Sequence, residues 1–366
     1  MFAENRKISL RQMQALFFLD SFGTAVLFLP AELARSSGKS CWISALLGGL
    51  LCILSLQLLA AVGKRLPCGT AAEWFRGCFG SFWGDILLVG LIGMMLFDGA
   101  MELRLLSEVL CHFLLPATPL PILSLLLLAA AAAFAAQGTE CRGRAAEILF
   151  FTAALPLFFL LLAVAASSRY QRILPLQLPS VSAVGAGVRG MSIVFQSGIF
   201  LYFIFPDLKQ SARAPRAFAK SSLILTGVIT ALVFLALAVY GEDTLAGKLL
   251  PGLQVLERVS FTGLFLTRQD VLLLWFWVVS AVVFLSGILF FGSLLSVKLC
   301  REPEQKRKTW LWVWLLALFA LSFLPETLSV AYHLRLAAAP WFHFFYLGLL
   351  PLLLLIRVKK GGLSDE

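Results

Sequence analysis

Charged residues are scarce in this sequence. Asp, Glu, Lys and Arg make up 14% of its 366 residues, against 60% hydrophobic. A soluble domain carries about a quarter charged residues and just under half apolar ones. One water-excluded core cannot hide this much apolar side chain, since a chain of this length is already near the limit of a single core. A soluble enzyme is therefore excluded. Histidine is rarer still: His112, His333 and His343 stand apart, and no metal site is expected. The seven cysteines form no C-x-x-C, which excludes a zinc site or disulfide framework read from spacing. There is no Walker lysine, nucleophile elbow or H-E-x-x-H, so no catalytic residue, cofactor or metal is expected. Gly185-Ala186-Gly187-Val188-Arg189-Gly190 fits G-x-G-x-x-G. The dinucleotide reading needs a strand–turn–helix context, but no strand precedes the motif and a membrane span follows it.

What fills the chain is apolar runs. Cys41–Val62, Leu223–Gly241, Val271–Val297 and Leu336–Ile356 hold no Asp, Glu, Lys or Arg. Each is near or above the roughly 20 residues that a helix needs to cross a hydrocarbon core. Ser9–Ser36, Gly84–Leu115, Pro119–Ala136, Glu147–Ala166, Gly187–Leu208 and Trp310–Leu324 are further candidates. Together they predict an all-α integral membrane protein of ten transmembrane helices in a lipid bilayer. The first span has no small-residue cleavage site and continues past Pro30, so it reads as a mature helix and not as a cleaved signal. Ten spans put both termini on one side, and 20 Lys and Arg then fall on that side against nine on the other. That bias places both ends in the cytoplasm and turns the net charge of +10 from a nucleic-acid signal into an orientation; no nucleic-acid partner is expected.

Two spans are interrupted alike. Ser21-Phe22-Gly23-Thr24-Ala25 is followed by Pro30, and Gln196-Ser197-Gly198 by Pro206, with each Ser nine residues before its Pro. Paired interruptions that open two sets of five helices point to an inverted-repeat transporter fold with a site at mid-membrane. The expected repeats run from about residue 8 to 166 and from 187 to 356, with 357–366 a short cytoplasmic tail. A broken helix leaves backbone groups for a ligand to satisfy. The half-helix starting near Thr24 offers N–H donors to a carboxylate, and carbonyls near Ser21 and Ser197 suit an ammonium, a combination that fits an amino acid.

Acids inside spans are costly and mark a pathway or site. Asp20 precedes the first interruption, while Met94, Asp98 and Glu102 share one face of the third span by their four-residue spacing. Arg104 and Glu108 stand at pairing distance. In the eighth span Ser280, Phe284 and Ile288 share a face, with Ser286-Gly287 as a close-packing point.

Several short motifs, in order, resemble one family. They are Lys7-Ile8-Ser9-x-x-Gln12, then Gly23 to Leu29-Pro30, Glu102-x-Arg104-x-x-x-Glu108, Phe113-Leu114-Leu115 and Thr118-Pro119. Gly138, Arg144-Ala145-Ala146-Glu147, Gly198 to Pro206, Arg268-x-Asp270 to Trp277, and Pro325 complete the set. The chain resembles the B-subunit family of spore germinant receptors, endospore germination permeases of the amino acid–polyamine–organocation superfamily. The resemblance implies a LeuT-like 5+5 fold with broken helices 1 and 6 in the spore inner membrane. It implies assembly with a germinant receptor A subunit and a C-subunit lipoprotein. It also implies a small nutrient, usually an amino acid, bound by Gly23, Thr24, Ala25, Met94, Asp98, Ser197, Gly198, Ile199, Phe284 and Ile288, with Glu102 as a buried acid. Asp98 departs from the uncharged wall expected there and leaves a basic or sugar-like nutrient open. An ion-coupled amino-acid transporter is the alternative, with Glu102 or Asp98 at a coupling-ion site and Asp20 on an ion or water path.

Overall fold

A computed structural model describes residues 7–66, 69–257 and 270–359. Cys68, Arg268 and most of the expected tail (360–366) lie outside the described residues. The backbone is helical almost throughout, because a membrane core offers no water to unpaired amides and each segment must satisfy its own. In chain order the main helices are α1 (Leu10–Ser37), α2 (Cys41–Arg65), α3 (Ala71–Phe113), α4 (Leu120–Ala136), α5 (Gly138–Ser167) and α6 (Val181–Val194). Then follow α7 (Leu201–Ile204), α8 (Ala214–Tyr240), α9 (Glu242–Ala246), α10 (Pro251–Glu257), α11 (Asp270–Leu299), α12 (Arg307–Ser322), α13 (Leu328–Phe342) and α14 (Leu350–Lys359). A π-helical stretch, His343–Leu349, joins the last two.

All ten expected spans fall on helices. Among the described residues seven helical stretches are long and apolar enough to cross a membrane, and Leu120–Ala136 is a shorter apolar helix, so the count of ten is not met span for span. The lipid-facing surface is plain on α5, where Phe151, Leu155, Phe158, Phe159 and Leu162 are exposed.

The motif at the start of α1 is a capping box. Ser9 Oγ accepts from the Gln12 amide at 3.2 Å and Gln12 Oε1 accepts from the Ser9 amide at 3.0 Å, which satisfies two otherwise orphaned N–H groups. Thr70 and Glu73 do the same for α3. Within α3, Gly80 takes φ +82° and kinks the helix, a backbone state that glycine adopts freely.

One expectation is corrected. The first span does not unwind at Ser21–Ala25; α1 is a single helix with Pro30 inside it. Gly and Ser lower helix stability by less than about 1 kcal/mol each, too little to break a helix packed between α6 and α11. The sixth span is interrupted as expected, its α-helix giving way at Phe195–Phe200 to a 3₁₀ segment before α7.

The G-x-G-x-x-G segment is a packing motif. A Cβ on Gly187 would strike the carbonyl of Ser44, and one on Gly48 would come within 2.6 Å of the Val188 amide. α2 and α6 thus touch backbone to backbone, as small residues allow between membrane helices.

At one end of the bundle the chain before α1 pairs with the chain after the sixth span. Ile8 N donates to Asp207 O at 2.8 Å and Lys209 N donates to Ile8 O at 3.1 Å. In the α11–α12 connection, Trp310 Nε1 and Lys306 Nζ donate to Glu302 at 2.8 and 2.9 Å, and these bonds hold its carboxyl below the usual range.

Candidate functional site

The third-span acids find a partner that sequence spacing does not show. Arg335 of α13 donates through Nε to Asp98 Oδ1 at 2.6 Å and through Nη1 to Glu102 Oε2. All three side chains are buried, at 2 or 3% exposure. The four-residue spacing of Asp98 and Glu102 sets their carboxylates one turn apart, a separation that one planar guanidinium bridges. Glu102 also reaches α1. A Cβ on Gly23 would lie 3.1 Å from Glu102 Oε1, so glycine there leaves room for the carboxylate.

A second buried cluster joins α1, α5 and α11. Arg142, fully buried, lies 3.9 Å from Asp20 and donates to Ser286 Oγ at 2.9 Å and to Val283 O at 3.2 Å. Its guanidinium lies 5.3 Å from the Phe291 ring centroid. Arg142 and Arg335 are therefore interior residues and not loop charges. Without them the basic bias becomes 19 against eight. Arg104 and Glu108 pair at 2.5 Å, as their spacing predicts.

Between these clusters lies a small polar cavity. It is lined by Asp20, Ser21, Gly23, Glu102, Ile193, Ser197, Ser280, Ala281, Phe284 and Arg335, and encloses about 10 Å³, about enough for one water molecule. Ser21 Oγ and Ser197 Oγ share a hydrogen bond across it, linking α1 to the 3₁₀ segment. Ser280, fully buried on α11, has a hydroxyl with no hydrogen-bond partner. A larger cavity of about 400 Å³ opens toward the Ile8 end, lined by residues that include Phe203, Asp207, Phe291 and Lys298.

Of the residues named from the sequence, Asp20, Gly23, Glu102, Ser197 and Phe284 meet at the small cavity. Asp98 stands behind Arg335. Gly198 does not face the cavity: its side-chain direction points at Leu56 and Leu347. Ile288 packs on Gly99 of α3, while Met94 and Ile199 are buried without lining the cavity. The side chains of Thr24 and Ala25 lie outside the described residues. Arg335, Ile193 and Ala281 join the site without having been named from the sequence. For Arg335 the only signal was an arginine abutting an uncharged run.

The helical bundle that encloses this cavity has the LeuT-type fold. Two solved structures share this fold. MhsT in complex with L-phenylalanine gives a TM-score of 0.69 at 14% identity, covering 96% of this chain and 89% of that one. Mhp1, a nucleobase-cation-symport-1 family transporter in a closed conformation with bromovinylhydantoin bound, gives 0.65 at 12% identity, covering 92% and 76%.

Sequence comparison narrows the class. The chain belongs to the spore germination protein family, whose sequence model matches residues 7–330. It is 25% identical to spore germination protein YndE of Bacillus subtilis (strain 168), over 98% of both chains. It is 24% identical to spore germination protein KB of the same organism, over 73% of this chain and 72% of that one. It is a multi-pass membrane protein with a permease fold.

Proposed function

We propose that this chain is the membrane-embedded, nutrient-binding subunit of a spore germinant receptor. It acts in the spore inner membrane with both termini in the cytoplasm, beside an A subunit and a C-subunit lipoprotein, and catalyses no reaction. The observation that carries this reading is the polar cavity between α1, α3, α11 and the 3₁₀ segment. Buried polar groups in a membrane interior are expensive and mark function. Family membership and the fold shared with proteins that hold L-phenylalanine or a hydantoin support a small organic ligand. Gly23, Ser197 and Phe284 face it, Arg335 fixes its orientation, and Met94, Gly198, Ile199 and Ile288 back the walls. The two halves, about 8–166 and 187–356, form the cavity between them.

Gly23→Leu tests the site. A Cβ there already stands 3.1 Å from Glu102 Oε1 and 3.7 Å from Trp277, and the longer side chain fills the cavity. Spores carrying it are expected to lose the nutrient response while the protein stays at normal level in the membrane. A response that survives places the pocket elsewhere.

A second reading, ion-coupled uptake of an amino acid, is favoured by the transporter fold and by the 400 Å³ cavity beyond Phe291. Purified chain in liposomes separates the two. A sensor shows no counterion-dependent accumulation of labelled amino acid, and uptake that follows a Na⁺ or H⁺ gradient replaces the sensor reading.

A further inference from the structure

A third cavity, of about 220 Å³, lies between α1, α5 and α8. Its lining includes Arg11, Phe18, Glu147, Phe151, Lys220 and Ile224, and none of its residues lines either cavity described above. All three helices begin at the Ile8 end of the bundle. Gln14 Nε2 of α1 donates to Ala217 O of α8 at 2.9 Å, and a Cβ on Gly143 of α5 would lie 3.2 Å from Ile8 Cγ2. The lining is therefore graded along the membrane. Arg11, Glu147 and Lys220 come first. Phe18, Phe151 and Ile224 follow four to seven residues further along their helices, about 6–10 Å deeper at helical rise. Phe151 and Ile224 are half exposed, so the cavity opens sideways, toward the acyl chains of the bilayer.

We propose that this cavity holds an anionic phospholipid, with its phosphodiester against Lys220 and Arg11 and an acyl chain along Phe18, Phe151 and Ile224. Arg11 is partly engaged already: it pairs with Glu147 at 2.8 Å and lies 5.1 Å from the Phe151 ring centroid. Lys220 is exposed and has no acid at ion-pair distance among the described residues. One turn nearer the end, Arg216 is exposed and Arg144 pairs with Glu140, which leaves the rim basic. Basic pockets between membrane helices hold anionic headgroups, and a lysine there lays its methylenes along apolar surface while its ammonium reaches the headgroup level. A zwitterionic lipid brings its own ammonium to the same rim, where Lys220 and Arg11 repel it. Charge therefore selects the lipid, and the apolar floor favours a lipid over a soluble anion.

Native mass spectrometry of the full-length chain in detergent tests this, with phosphatidylglycerol and phosphatidylcholine of the same acyl chains as probes. One phosphatidylglycerol is expected to stay bound, preferred about fivefold, the worth of one basic residue facing an anionic lipid. Lys220→Gln is expected to erase that preference. Lys308→Gln makes the same charge change at an exposed lysine of α12 and is expected to keep it. Ile224→Trp fills the cavity from a half-exposed position, so it is expected to fold and to release both lipids. Equal retention of the two lipids, or a preference that survives Lys220→Gln, overturns the site. Displacement of the lipid by glycerol 3-phosphate assigns the rim to a soluble phosphate ester and overturns it as well. So does a lipid-free dimer that Ile224→Trp dissolves, which gives this face to a second copy of the chain.

Discussion

Arg335→Ala is expected to be the most damaging single substitution in the interior. It takes from the carboxylates of Asp98 and Glu102, 2% exposed each, the guanidinium that bridges them. Removing one partner of a buried ion pair costs about 3–5 kcal/mol, because the surviving charge stays desolvated. Here two carboxylates lose the same guanidinium at once. Thermal unfolding of the purified protein in detergent measures the loss, and a fall in melting temperature of many degrees is expected. Removing all the charges is milder: Arg335→Met combined with Asp98→Asn and Glu102→Gln is expected to recover more than half of the lost stability. If Arg335→Ala melts with the wild type, the ion triad does not hold α13 against α3.

The second large effect is expected at Gly48. Its side-chain direction meets the backbone of Gly187 and Val188 on α6, and a backbone cannot turn aside as a side chain can. Gly48→Leu therefore forces α2 and α6 apart along a whole contact face, beyond the roughly 1–3 kcal/mol of ordinary overpacking. No monodisperse protein is expected on size-exclusion chromatography. Gly185 provides the control. It lies in the same glycine-rich stretch but has nothing within 4 Å of a Cβ, so Gly185→Ala is expected to purify normally. Equal behaviour of Gly48→Leu and Gly185→Ala would mean that the two helices do not approach so closely.

These two positions mark what a reader of the sequence can and cannot see. Helix positions were legible, because a run of uncharged residues of membrane length admits little else. Asp98 and Glu102 were legible as one face of α3, since helical periodicity is local. Their partner was not: Arg335 lies more than 230 residues away in sequence and stands next to an apolar run, where it reads as a loop charge. Arg142 was misread for the same reason. The matching Ser21 and Ser197 were visible as an echo between two spans, and the structure joins them by a hydrogen bond. The break expected at Gly23 was not there, because glycine permits unwinding without compelling it, and at this position its use is to admit the Glu102 carboxylate. The glycines of the discarded nucleotide motif had a reason that only helix packing supplies.

The two backbone hydrogen bonds between Ile8 and the chain at Asp207 and Lys209 have a mechanical consequence. They fasten the entry of the first span to the exit of the sixth at one end of the bundle, while Ser21 and Ser197 fasten the same two spans at the cavity. Two rungs make a ladder. Parting the two serines alone would leave the first and sixth spans still joined at the Ile8 rung, so a separation of these spans at the cavity must turn about that end.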